Sequence, residues 1–214
     1  MEVITFEQIP ELFDKVGMLF MEKKEELCEM DAKLGDGDLG LTMSKGYREL
    51  PGIMRAEAEA AGGDIGRLLM KAGMKMSSLV PSTMGFLMST GVMEGGKALK
   101  GCTVMDKNAL ASYLNGFAAG VQKRGKCEAG QRTIYDAVLP AAEAATEEVA
   151  KEGSTIQSVM EAAYAAAQAG VEATKDMVPV FGKAAVHAAQ SAGVADQGAV
   201  AGCYLMQGMR DFIC

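Results

Sequence analysis

The sequence predicts an all-α fold of about eight helices, gathered in a single domain over residues 1–214. Three observations predict it. Apolar residues recur at three- and four-residue intervals through most of the chain. No segment shows sustained period-two alternation rich in β-branched residues. Residues 141–173 are dense in alanine, which has the highest helix propensity and lets helices pack closely. No Pro/Ser-rich linker or composition break marks a domain boundary. A hydrophobic fraction of 49% with 23% charged residues is that of a chain with a packed core.

In chain order, Ile9, Leu12, Phe13, Val16, Leu19, Phe20, Leu27 and Met30 lie on one helical face, so a single long helix is predicted from Phe6 to Lys33, ending near Gly35. Shorter helices fit 39–50, 64–78 and 84–98. Asp106 is a plausible N-cap for a helix carrying Leu110, Leu114, Phe117 and Val121. A helix over 132–151 contains Pro140, which lacks an N–H and should kink or restart it. Ile156, Val159, Met160, Ala163 and Ala167 define the next, after Ser154, and 198–212 the last. Three glycine-, proline- and polar-rich connections interrupt the pattern, at 34–40, 79–85 and 178–197. The third is long enough to be a working loop, a short helix, or both. The 17 methionines are expected to fill core gaps, and the five cysteines to be small buried apolar residues.

A net charge of −7 removes the general attraction to phosphate backbones and argues against a nucleic-acid partner. Positive charge is local, at Lys123-Arg124-Gly125-Lys126, Arg132 and Lys183, where solvated helix ends are the alternative to a binding role. Five cysteines without a Cys-x-x-Cys spacing, and one histidine, His187, signal neither a zinc site nor a disulfide framework. His187 reads as an ordinary exposed or capping residue. The first residues, MEVITFEQIPELF, lack a basic and apolar leader, and no apolar run is long enough to span a bilayer, so no membrane association and a cytoplasmic location are expected.

The strongest local signal is Met30-Asp31-Ala32-Lys33-Leu34-Gly35-Asp36-Gly37-Asp38-Leu39-Gly40. Glycines allow the backbone to turn Asp36 and Asp38 back toward Asp31, and three convergent carboxylates need a cation such as Mg²⁺ or Ca²⁺. A calcium loop of the EF-hand type fails, because Tyr47 or Thr42 falls where a bidentate glutamate is needed. Asx turns and capping of the next helix remain the alternative reading of the same residues.

The pattern D-x-x-x-G-D-G-D-x-G-x-x-M-x-x-G over Asp31–Gly46 resembles the magnesium-binding signature of the nucleotide-binding (L) subunit of dihydroxyacetone kinases. Further matches follow in order. Gly73-Met74 and Val80-Pro81-Ser82-Thr83-Met84-Gly85 stand where that family has a phosphate loop. The segment from Arg124-Gly125-Lys126 through Gly130, Arg132-Thr133 and Asp136 resembles its R-G-K…G-D-K-T-x-x-D, and Gly182-Lys183-Ala184 its G-R-A. Asp196-Gln197-Gly198-Ala199 is similar to its D-P-G-A. The resemblance implies a barrel of eight antiparallel helices binding ADP or ATP at one end through two Mg²⁺ ions. It implies Asp31, Asp36 and Asp38 as metal ligands, and Leu39, Gly40, Leu41 and Thr42 as a helix start that approaches the phosphates. Ser82, Thr83 and Met84 would form the second loop, with Gly125, Ile134, Lys183, Asp196, Gln197 and Gly198 around the rest of the nucleotide.

Lys183, standing where the family has arginine, would be the catalytic cation that neutralises a phosphate oxygen, as a point charge in place of a planar fork. Leu39 replaces a His or Thr and can offer only its backbone N–H; Pro81–Gly85 replaces G-G-x-S-G and leaves Ser82 and Thr83 as hydroxyl donors. The implied activity is phosphoryl donation to dihydroxyacetone or a related small ketose held by a histidine of a separate kinase subunit. The family contains both free ATP and bound ADP recharged by a phosphotransferase-system phosphocarrier, and the sequence leaves that choice, like homodimer formation, open. Kinases of the same fold acting on erythrulose or a fatty acid, and a nucleotide-sensing regulator that binds a transcription factor, are the alternatives.

Overall fold

The computed structural model describes residues 2–186 and 191–214, with the side chains of Gly182 and Lys183 outside that description. It is all-α, as predicted. Ten helices are found among the described residues: α1 (Ile9–Glu22), α2 (Lys24–Leu34), α3 (Leu39–Ala61), α4 (Ile65–Leu79), α5 (Thr83–Ala98), α6 (Lys107–Gly125), α7 (Tyr135–Val149), α8 (Ile156–Ala173), α9 (Gly182–Val186) and α10 (Gln197–Ile213). Two two-residue strands, β1 (Ile4–Thr5) and β2 (Val104–Met105), pair antiparallel with Ile4 opposite Met105.

Eight helices close a ring. Each packs on the next in the order α1, α3, α4, α5, α6, α7, α8, α10, and α10 packs back on α1. One continuous core fills the centre, with Phe13, Phe20, Tyr47, Tyr113 and Phe117 fully buried in it. Phe20 and Tyr47 lie 4.9 Å apart and Phe13 and Tyr47 6.4 Å, separations at which aromatic pairs attract. Burial pushes the Tyr47 and Tyr113 phenols above their ordinary range, so both stay neutral.

The predicted helix over 6–33 is divided. A short 3₁₀ turn, Phe6–Gln8, precedes α1, and the α-helical course stops at Lys23, whose ψ of 7° opens the turn. The run Glu22-Lys23-Lys24-Glu25-Glu26 has no apolar residue to hold it against the core. The break lets α2 leave the ring and bury Leu27, Asp31 and Leu34 against α3 and α10. The helix predicted over 39–50 instead runs on to Ala61 through Pro51, and α7 runs unbroken through Pro140.

Both interior prolines remove the donor for the carbonyl four residues earlier, Tyr47 and Asp136 respectively. At each place a neighbouring helix presents glycine. A Cβ on Gly17 of α1 would lie 2.7 Å from the Tyr47 oxygen, and one on Gly170 of α8 would lie 2.1 Å from the Asp136 oxygen. The helices continue because close interhelical packing at these points outweighs the missing bond.

Met43, Met54, Met76, Met88 and Met160 fill the core as expected, whereas Met18, Met21 and Met74 are exposed. Cys127 and Cys203 are buried, but Cys28 and Cys102 are only partly covered and Cys214 is exposed, so the expectation of buried cysteines holds for two. No described helix is long and apolar enough to cross a membrane.

Candidate functional site

Four connections converge at one end of the ring: 35–38 after α2, 80–82 after α4, 126–134 after α6, and the described residues 174–186 and 191–196 between α8 and α10. They surround a cavity of about 350 Å³, within the range of small-ligand pockets.

The first wall is the aspartate loop. Gly35 ends α2, and Gly37, with φ of 76°, supplies a left-handed turn that an L-residue rarely adopts. Asp31 is buried, and its Oδ2 accepts N–H bonds from Gly37 (2.9 Å), Asp38 (3.1 Å) and Leu39 (3.4 Å). Its Oδ1 accepts from the Gln197 amide at 3.3 Å. Asp38 occupies the N-cap position of α3 but makes no side-chain capping bond, which removes the capping reading for that residue. The carboxylates of Asp31, Asp36 and Asp38 each place an oxygen within 4.8 Å of the others. Ligands of one octahedral Mg²⁺ stand roughly 3–4 Å apart, so these three residues could hold a divalent ion after small side-chain rotations of the exposed Asp36 and Asp38.

Leu39 lines the cavity, but Gly40, Leu41 and Thr42 do not. Gly40 is packed beneath the wall, where a Cβ would lie 1.9 Å from the Lys24 oxygen; Leu41 points largely to solvent. Thr42 Oγ1 is 3.4 Å from Ser82 Oγ and so links the first wall to the second. There Ser82 caps α5 by accepting the Gly85 N–H at 3.1 Å, and Ser82, Thr83, Met84 and Leu87 face the cavity. With that acceptor role filled, the Ser82 hydroxyl hydrogen is available to Thr42 or to a ligand.

The third wall is Arg132, Thr133 and Ile134. Gly125, at the end of α6, lies behind it, close to Leu87 and Cys127. Asp196, Gln197 and Gly198 form the fourth wall at the start of α10, joined by Phe181 and Ala184. The Asp196 carboxylate caps Ala199 N–H at 2.8 Å, and burial lifts its pKa to about 6 despite that bond and the charge of Arg132. Lys183 falls in α9, but the role predicted for its side chain, like the reading of His187, lies outside the described residues.

Sequence reasoning did not assign Leu34, Gly35, Leu87, Arg132, Thr133, Phe181 or Ala184 to the cavity. Leu87 was within reach, since it stands one helical turn after Thr83. Arg132 and Thr133 lay inside a recognised motif without an assigned task.

A closed ring of helices with a carboxylate cluster and the starts of α3, α5 and α10 at one end defines a class, the helical domains that gather oxygen ligands and helix N-termini around one cavity. Within it the assignment is specific: the DAK2 domain matches residues 33–211, and the chain belongs to the DAK2 domain family. It is 31% identical, over 90% of its length and 89% of the relative's, to the ADP-binding subunit DhaL of PEP-dependent dihydroxyacetone kinase 1 of Listeria innocua. It is 28% identical to the corresponding Escherichia coli subunit, covering 94% of this chain and 93% of that one. A D-erythrulose kinase of Mycolicibacterium smegmatis is 30% identical over 87% of this chain, which matches 32% of that longer protein. The fold matches the dihydroxyacetone kinase of C. freundii crystallised with AMP-PNP and Mg²⁺, with TM-score 0.71, 24% identity, and coverage of 95% of this chain and 33% of that one.

Proposed function

We propose that this chain binds ADP or ATP with Mg²⁺ and donates a phosphoryl group to dihydroxyacetone, or a related small ketose, held by a separate kinase subunit. The observation that carries the reading is the convergence of the Asp31, Asp36 and Asp38 oxygens on the wall of a cavity of about 350 Å³. Bound Mg²⁺ would neutralise charge on the phosphates. The protein's own contribution is positioning. Asp31 fixes the loop, the Ser82 and Thr83 hydroxyls face the phosphate side, Ile134 and Met84 supply apolar walls, and Lys183 is the proposed catalytic cation. The relatives' names, ADP-binding subunits of PEP-dependent kinases, support this assignment and a phosphocarrier that recharges bound ADP.

Two Mg²⁺ ions, a single domain over residues 1–214 and a cytoplasmic location belong to the same reading. Leu41, Val178, Val180, Phe181 and Val186 are exposed apolar residues at or beside the cavity end, and we assign the acceptor subunit to this rim. An erythrulose acceptor is the second reading, favoured by the similarity to D-erythrulose kinase.

Calorimetric titration of ADP and ATP, with and without Mg²⁺, tests the proposal. Binding that requires Mg²⁺ and disappears in a folded Asp36→Ala/Asp38→Ala double variant is expected. Absence of binding by folded, nucleotide-free protein would overturn it. Transfer assays with the acceptor subunit loaded with dihydroxyacetone or erythrulose then decide the ketose.

A further inference from the structure

Arg132 combines a left-handed backbone, φ 59°, with a side chain that is 2% exposed. A non-glycine residue in this conformation is strained and persists only where its surroundings hold it. Here Asp136 holds it, accepting the N–H groups of Gly130 and Thr133 on its two carboxylate oxygens.

The conformation sends the guanidinium toward the chain that connects α8 to α10. Nε donates to the Thr174 carbonyl at 3.3 Å, while Nη2 donates to the carbonyls of Ser191 (3.3 Å) and Val194 (2.9 Å). These acceptors come from both ends of the connection. Its base is closed by Asp196 N–H donating to Thr174 Oγ1 at 2.9 Å and Gly193 N–H donating to Lys175 O at 3.0 Å. Val180 N–H reaches Gln131 O, next to Arg132 itself, at 3.4 Å. The same connection brings Phe181 and Ala184 to the cavity and delivers Asp196 to the start of α10.

We propose that Arg132 is a positioning residue for the nucleotide site: the Nε and Nη2 side of its guanidinium, committed to backbone carbonyls, holds residues 174–186 and 191–196 at the distance from α7 that completes the cavity. The role rests on the nucleotide reading above and is carried by Nε and Nη2, which are occupied by the protein; Nη1, buried without a hydrogen-bond partner among the described residues, takes no part in it, and exchange measured without nucleotide reads the positioning apart from any contact Nη1 makes with a ligand. Lysine, a single point charge on a flexible stem, cannot span three carbonyls in this way.

The test uses Arg132→Lys and Arg132→Met in the full chain, with two measurements. Amide hydrogen exchange without nucleotide should be at least tenfold faster in 174–186 and 191–196, and unchanged in α1, α3 and the 35–39 loop. Calorimetry should show Mg-ADP binding at least tenfold weaker in both variants, with Mg²⁺ still strengthening ADP binding by the wild-type factor. Wild-type behaviour of Arg132→Lys, faster exchange with ADP affinity within twofold of wild type, acceleration throughout α1 and α3, or failure of both variants to fold would each overturn the proposal. If wild-type protein binds no Mg-ADP, the nucleotide reading fails, and the exchange measurement alone decides whether Arg132 pins the connection.

Discussion

Two buried carboxylates, Asp31 and Asp196, each organise one wall of the cavity through backbone N–H groups. Asp31 is surrounded by donors, and Asp31→Asn would turn charge-assisted bonds into ordinary ones, at about 1–2 kcal/mol together with the loss of metal binding. Asp36→Asn, at an exposed position, should remove magnesium-dependent nucleotide binding while changing stability by no more than about 0.5 kcal/mol. Thermal unfolding beside calorimetry separates the two variants. Asp196 is held by burial at a pKa of about 6, above the ordinary 3.8. A carboxyl raised in the folded state favours folding below the lower value and loses that contribution as pH rises through the higher one. Asp196→Asn keeps an oxygen for the Ala199 cap without the buried charge. Relative to wild type, the variant should therefore gain stability from pH 4 to pH 7, by up to about 3 kcal/mol, in denaturant titrations.

At the scale of elements, substitutions at glycine separate packing from propensity. Gly170→Ala would force a methyl toward the Asp136 carbonyl and should cost at least about 1–3 kcal/mol of unfolding free energy. Gly52, exposed within α3 with nothing near its missing Cβ, should yield about 0.5–1 kcal/mol of added stability as alanine. Most helices were legible because their apolar faces repeat with the helical period, and the aspartate loop was legible because its chemistry is local. The extension of α3 beyond Pro51 was hidden, since a proline reads as a stop unless its neighbour is known. The break at Lys23 was hidden for the converse reason: a charged run continues a helix in sequence, and only packing shows that α2 turns away. The place of Arg132 depends on carbonyls 42 to 62 residues distant, which no local pattern encodes.

For the whole molecule, the cavity draws on four connections at one end, so a ligand there ties together elements distant in sequence. Mg-ADP at one hundred times its dissociation constant should stabilise the fold by about 2.7 kcal/mol, read as a rise in unfolding temperature that is absent from the Asp36→Ala/Asp38→Ala variant. If the acceptor subunit docks on the apolar rim as proposed, Phe181→Asp should weaken that association at least tenfold, a change that analytical ultracentrifugation would detect. The opposing proline–glycine pairs carry a further consequence, for how such sequences can vary. Pro51 with Gly17, and Pro140 with Gly170, are single geometric units divided between two helices. Changes at the two members should therefore be epistatic: a larger residue is tolerated in place of the glycine only in a background where the opposite helix has changed its course. In an alignment each pair would covary, marking an interhelical contact that hydrophobic periodicity alone does not reveal.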